Sequence, residues 1–186
     1  TLPAGSVFDS WPQRENWAIL CKYWQARGIP LRHLEESARL FRVPPHRLRK
    51  VAENKGVEFW NDSKGTNFHA VQAALSEFSI PVRWIGGGKW KGGDLARFVR
   101  NIAPLIDTAY LIGETAEELK RHFDELGKVA RCYPSLQDAV VAAAKDAHGP
   151  VAILLSPGFS SFDQFRGYAE RGLVFERAAS ALAKAV

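Results

Sequence analysis

The chain has only two cysteines, Cys21 and Cys132, far apart and outside any CxxC spacing. That argues against a disulfide framework or a cysteine metal site and leaves two small buried residues of a reducing cytoplasm. No apolar run approaches the roughly 20 residues that a membrane-spanning helix requires. The opening stretch, TLPAGSVFDSW, lacks the basic and apolar pattern of a secretory signal. Internal repeats and low-complexity segments are missing too. So is a charge surplus over most of the length: the net charge of +5 arises in residues 1–55, with ten Lys/Arg against five Asp/Glu, while residues 56–186 hold fifteen of each. The surplus is densest in HRLRK, His46 to Lys50. A nucleic-acid binder carries a broader basic face with interleaved aromatics, so neither nucleic acid nor membrane is expected as a partner. What is present is a hydrophobic fraction of 46% and six tryptophans in 186 residues, enough for one full globular domain and part of another.

Residues 1–43 read as two helices. The first spans about Pro12 to Arg27, capped by Asp9 or Ser10 and stopped by Gly28, with Trp17, Leu20, Cys21 and Trp24 as its apolar positions. The second spans about Leu31 to Phe41, with Leu34, Ala38 and Phe41 on one face, and ends before Pro44-Pro45. Two helices bury little alone, so Trp17 and Trp24 are expected to be exposed aromatics. The double proline stiffens the connection and marks a boundary. After it, two alternating runs flank Asn54-Lys55-Gly56, a hairpin signal. Strands at about Val57 to Trp60, Val82 to Ile85, Thr108 to Ile112, Val129 to Cys132 and Val151 to Leu155 then alternate with helices. The helices start near Phe68, Leu95, Ala116, Ser135 and after Asp163, with Ser135 and Asp138 in capping-box spacing. This pattern predicts an α/β fold: a Rossmann-like, doubly wound, mostly parallel sheet with an N-terminal β-hairpin, preceded by a helical remnant.

In such a sheet, ligands gather at the carboxyl ends of the strands. Three strand-end loops stand out there: NDSKGTN (61–67), GGGKWKGGD (86–94) and SPGFSSFDQF (156–165). Together they offer Asp62, Lys64, Thr66, Lys89, Lys91, Ser160 and Ser161, mostly donors suited to carboxylates and phosphates. GGGKWKGGD lacks the GK[ST] ending of a Walker A loop. SPGFSSFDQF has no nearby His–acid pair, which argues against a serine nucleophile, and Asp163 reads equally as a helix cap. His33, His69, His122 and His148 lack ligand spacing and read as structural.

Taken together, these strings resemble one family. NDSKGTN is similar to the NDSKATN element of the bacterial Mur ligases that add D-glutamate to UDP-N-acetylmuramoyl-L-alanine (the MurD type). LLSPGFSSFDQF, followed by Tyr168 and Arg171-Gly172, resembles their LSPACASFDQF…F…RG signature. GGGKWKGGD resembles their GG…KG.D loop, His46-Arg47 their HR pair after the interdomain hinge, and Gln13-Arg14-Glu15-Asn16 their HNxxN element. The resemblance covers nearly the whole chain and is strongest after Pro44.

The resemblance implies that residues 44–186 are the C-terminal, D-glutamate-binding domain and residues 1–43 the last helices of the central ATPase domain. It places Lys91 and Thr66 on one carboxylate of D-glutamate, and Ser161 with Phe162 and Tyr168 on the other. Asn16, His46, Arg47, Asp62 and Lys64 fall near the nucleotide. ATP, Mg²⁺, D-glutamate, UDP-N-acetylmuramoyl-L-alanine and the remaining domains of the same protein are the implied partners. No P-loop, Mg²⁺ carboxylate set or UDP-binding domain is present in the sequence, so no catalytic or metal residue is assigned. The departures are Gln13 for the first Asn of HNxxN, Gly65 for Ala, and Gly158-Phe159-Ser160 for a run of small residues. The alternatives are another amide ligase of the superfamily, such as a folylpolyglutamate synthase, or a non-catalytic amino-acid- or nucleotide-binding module. The LSPxxxSFDQF string fits the D-glutamate-adding type best.

Overall fold

Every strand of the sheet except the first follows from an apolar run, and the side chains along each run sort alternately to two helical layers, as a pleated strand requires. The structure is a computed structural model that describes residues 6–9 and 13–184. These fall into two units divided between Pro45 and His46.

The first unit holds α1 (Gln13–Ala26) and α2 (Leu31–Leu40), with a short 3-10 turn at Val7–Asp9 before them. Gly28 ends the first helical stretch in the left-handed region, at φ 67°. Of the two expected caps, Ser10 lies outside the described residues and Asp9 falls in the 3-10 turn. Trp17 departs from expectation. It is 5% exposed, because Phe8 from the 3-10 turn closes over it at a ring distance of 5.3 Å and joins Leu34 and Ala38 in a small cluster. Trp24 is half-buried, so neither indole is fully open. Phe41 falls just past the end of α2 and is exposed, as are Ile19, Tyr23 and Leu40.

The second unit is the expected doubly wound sheet. Its strands are β1 (Arg49–Asn54), β2 (Val57–Asn61), β3 (Val82–Gly87), β4 (Thr108–Ile112), β5 (Ala130–Cys132) and β6 (Val151–Leu155). They lie in the order β1-β2-β6-β3-β4-β5, with only β1–β2 antiparallel. The hairpin turns through Lys55 and Gly56, both at positive φ. The connecting helices are α3 (Phe68–Leu75), α4 (Leu95–Ile102), α5 (Ala116–Glu125), α6 (Leu136–Asp146) and α7 (Tyr168–Lys184). Several end earlier than their apolar periodicity suggests; α3 stops before Ser76 and not at Phe78. Asn67, Asp94 and Ser135 cap α3, α4 and α6 through side chains that accept from the N–H three residues on.

One face of the sheet carries Trp84, Ala109, Leu111, Ala152 and Leu154 against α3, α4 and α5. The other carries Phe59, Ile85, Tyr110, Ile153 and Leu155 against α6 and α7. The chain therefore leaves β2 and β3 toward one layer and β6, which lies between them, toward the other. Crevices open at such reversals, at the carboxyl ends of the strands.

Trp84 ties this core to the rim. Its indole is fully buried against Phe98 and Phe123, and its N–H donates to the Ser156 carbonyl at 2.8 Å. Trp84→Phe removes the donor and leaves that carbonyl unpaired in a space too large for the ring. A loss of about 2–4 kcal/mol is expected, read as a lower urea midpoint at unchanged slope; a midpoint within experimental error of the wild type would show that the bond contributes nothing.

Candidate functional site

Four loops leave the carboxyl ends of β2, β6, β3 and β4, and their backbones are joined in a row. Gly158 N–H donates to the Gly65 carbonyl at 2.8 Å, fastening the loop after β6 to the loop after β2. Gly87 N–H donates to Pro157 at 3.0 Å and Lys89 N–H to Ser160 at 2.8 Å, fastening the loop after β3 to the other side of the same loop. Thr115, after β4, donates from both its N–H and its hydroxyl to the Gly88 carbonyl, each at 3.1 Å. The close approach requires glycine. A Cβ on Gly88 would stand 2.3 Å from the Ser160 carbonyl oxygen, and the residue holds φ at 140°.

Beneath this rim lies Arg171, 1% exposed, on α7. Its guanidinium donates to Ser63 Oγ at 3.0 Å, to the Ser63 carbonyl at 2.9 Å and to the Phe159 carbonyl at 3.2 Å. Ser63 Oγ in turn donates to the Tyr168 carbonyl at 2.8 Å. Burial lowers the guanidinium pKa to about 10, opposed by the carboxylates of Asp163 and Asp62, so the group stays charged at neutral pH. Beside it, Asn61 Nδ2 lies 2.9 Å from His46 Nδ1, 3.1 Å from the Gly172 carbonyl and 2.8 Å from Glu176 Oε1. His46 is buried at φ 64°, not solvated at the hairpin entrance, and packs where a side chain on residue 172 would stand: a Cβ there would meet its Nδ1 at 2.3 Å.

Asp62 faces inward. Oδ1 accepts from Leu48 N–H at 3.1 Å and Oδ2 from the Ser156 hydroxyl at 2.7 Å. Burial pushes its pKa up to about 6, against the two hydrogen bonds that favour the carboxylate. Gly65 leaves the room for this pose, since a Cβ on it would stand 2.3 Å from Asp62 Oδ2 and 2.8 Å from Ser156 Oγ. The departure from the Ala of NDSKATN thus has a steric counterpart.

The other residues singled out in the sequence distribute as follows. Thr66 is half-buried next to Gly65, and Ser161 is buried next to Ser160; neither hydroxyl has a hydrogen-bond partner among the described residues. Lys91 and Arg47 are exposed. Lys91, like Lys64, has no acidic partner among the described residues. Lys64 Nζ instead lies 3.1 Å from the Tyr168 hydroxyl and 4.3 Å from its ring centroid. Phe162 is 67% exposed. Asn16 belongs to the first unit, where its side chain donates to Gln13. Asp163 is no cap for α7: its Oδ2 accepts from Glu114 N–H at 3.0 Å and belongs to the rim. Cys21 and Cys132 are free and half-buried, and burial pushes the Cys132 thiol up to about 11. Among the described residues no three His, Cys, Asp or Glu side chains gather as a metal-ligand set, and no helix is long and apolar enough to cross a membrane.

Arg171, Ser63, Asn61 and Thr115, which hold the rim together, were not assigned as site residues from the sequence. For Arg171 a signal existed: it shares one stripe of α7 with Phe175 and Ala179, where an apolar residue is the ordinary occupant.

What such a rim offers is two hydroxyls without a hydrogen-bond partner among the described residues, on loops that are fixed by their backbones, and cations without an acidic partner, an arrangement suited to binding an anionic ligand. Comparison with known proteins gives it a setting. The family described as "Mur ligase, glutamate ligase domain" matches residues 46–159. The chain is 43% identical over 137 residues to a UDP-N-acetylmuramoylalanine–D-glutamate ligase of Syntrophotalea carbinolica, covering 74% of this chain and 30% of that protein. It is 42% identical over 162 residues to the enzyme of that name from Nitrobacter winogradskyi, covering 84% and 34%. Among solved structures, the MurF ligase of Thermotoga maritima in complex with ADP is similar at TM-score 0.60 and 16% identity, covering 91% of this chain and 39% of that one. The chain thus spans about a third of the length of the curated relatives it matches.

The inward carboxylate makes the rim pH-sensitive. Because the folded pKa of Asp62, about 6, lies above its ordinary 3.8, the folded state holds the proton more tightly. Its stabilising contribution is full below about pH 3.8 and is lost as pH rises through 6, up to about 3 kcal/mol in all. Asp62→Asn should therefore flatten the stability-versus-pH curve between pH 4 and 7. An unchanged curve, or an Asp62 carboxyl titrating near 4 by NMR, would contradict the assignment.

Proposed function

The chain belongs to the Mur ligase family through its glutamate ligase domain, and from that membership we propose that it is the C-terminal part of a cytoplasmic ATP-dependent amide ligase. The parent protein adds D-glutamate to UDP-N-acetylmuramoyl-L-alanine in peptidoglycan precursor synthesis. The observation that carries the reading is the stitched rim: the loops bearing Thr66, Ser161 and Lys91 are joined side by side by the Gly158–Gly65 and Lys89–Ser160 hydrogen bonds. The relatives at 43% and 42% identity, both carrying the D-glutamate ligase name, favour this step over the other members of the superfamily.

In this reading the exposed Lys91 ammonium and the Thr66 hydroxyl take one carboxylate of D-glutamate. Ser161, with Phe162 and the backbone near Tyr168, takes the other. His46, Arg47, Asp62 and Lys64 form one wall of the ATP site, and Asn16, in the first unit, is proposed by itself as a nucleotide contact of the parent enzyme. Asp62 acts there from inside the turn, fixing the backbone that carries Lys64. Phosphoryl transfer from ATP, releasing ADP, activates the carboxylate of the UDP-linked substrate as an acyl phosphate; the amine of D-glutamate attacks it, expelling phosphate and losing a proton to leave the amide. The P-loop and the UDP-binding domain belong to the rest of the parent protein. Mg²⁺ is assigned to ligands there as well. Residues 1–43 are the last helices of its central domain. This chain's share of the chemistry is positioning: it holds a dianionic amino acid so that its amine meets the activated carbonyl.

Two outcomes are expected. The isolated chain neither hydrolyses ATP nor ligates D-glutamate; turnover by the purified chain that Lys91→Ala abolishes would place the catalytic apparatus here instead. In the full-length parent enzyme, Lys91→Ala lowers kcat/KM for D-glutamate by at least about tenfold, the scale of a charge-assisted hydrogen bond, with little change in the KM for ATP. A raised ATP KM with D-glutamate kinetics intact would remove Lys91 from the amino-acid side.

A further inference from the structure

Lys64 and Tyr168 fall on different ligands in the reading above, the nucleotide and the amino acid, yet they touch. The Lys64 ammonium lies 3.1 Å from the Tyr168 hydroxyl and 4.3 Å from the ring centroid, so it meets both the oxygen and the π face. No carboxylate neutralises it among the described residues: Asp62 is turned into the rim, and Glu176 is bound to Asn61 and lies 3.5 Å from His46.

Each partner is held by its backbone. Lys64 N–H donates to the His46 carbonyl at 3.0 Å. The Tyr168 carbonyl accepts from Ser63 Oγ, which Arg171 orients. The Tyr168 ring also stands edge-on to His46, with centroids 6.3 Å apart. A tyrosine can therefore fix the direction of a lysine while leaving its charge available, which a carboxylate cannot.

We infer that Tyr168 is a positioning residue for Lys64 and that the pair couples the two ends of the site: an amino acid seated against Tyr168 fixes the ring, and the ring fixes the ammonium for a phosphoryl oxygen of the nucleotide. This rests on the proposed function. The coupling is positive, and by linkage it is felt equally from the nucleotide side.

The test uses the full-length parent enzyme with ATP and D-glutamate as the probes. The ratio of the apparent ATP dissociation constant without D-glutamate to that at saturating D-glutamate measures the coupling. Tyr168→Leu, which removes ring and hydroxyl, is expected to bring the ratio to one and to weaken ATP binding by roughly two- to fivefold, the scale of an exposed cation–π contact. Tyr168→Phe, which keeps the ring, should fall between Tyr168→Leu and wild type. Adding Tyr168→Phe to Lys64→Met should change nothing further, a result that a general packing defect would not give. A ratio that stays at the wild-type value in Tyr168→Leu, or Tyr168→Phe and Lys64→Met effects that simply add, would overturn the inference. A wild-type enzyme that binds no D-glutamate at all would instead refute the function on which it rests.

Discussion

The buried guanidinium of Arg171 is the constraint around which the rim is assembled. A charge in a site 1% exposed is tolerable only if its donors are met. Here each of its three nitrogens has an acceptor, supplied by the Ser63 hydroxyl and by the carbonyls of Ser63 and Phe159, with no carboxylate in contact. Those acceptors sit on the loops after β2 and β6, while the arginine sits on α7. Satisfying one side chain therefore fixes three segments that are up to 108 residues apart in sequence. A lysine, with a single point of charge, has no fork to span the same oxygens.

Around that centre the glycines act as clearances. Gly65 admits the inward carboxylate of Asp62, Gly172 admits the ring of His46, and Gly88 lets two loops meet backbone to backbone. Each clearance serves a polar group that then finds a hydrogen-bond partner, which lets buried Asp62, Asn61, Ser63 and His46 crowd together at the end of an otherwise apolar sheet.

The sheet was legible in the sequence because its cause is local. Val151 to Leu155 is apolar throughout and became a strand buried on both faces. The Asn54-Lys55-Gly56 turn announced the hairpin, and Ser135 with Asp138 announced the start of α6. The loops that form the rim could likewise be picked out by their position after strands. The rest depends on contacts that no window of sequence contains. Trp17 looked exposed because its covering ring, Phe8, comes from outside the helix pair. Asp62 looked like a free carboxylate because its partners, Leu48 and Ser156, lie 14 residues before it and 94 after it. Arg171 was visible as the arginine of the RG string and as an anomaly on an apolar stripe, but its acceptors, Ser63 and Phe159, lie on loops outside its own helix.

Backbone groups join neighbouring rim loops through Gly158 to Gly65, Gly87 to Pro157 and Lys89 to Ser160, and the side chains of Ser156, Thr115 and Asp163 add bonds between rim loops. Thr66, Ser161 and Lys91 contribute no hydrogen bond from their side chains to the stitching, so exchanging them leaves the frame standing. On the proposed function, a scaffold of this kind permits its ligand preference to drift by single substitutions across a lineage, without passing through sequences that fail to fold.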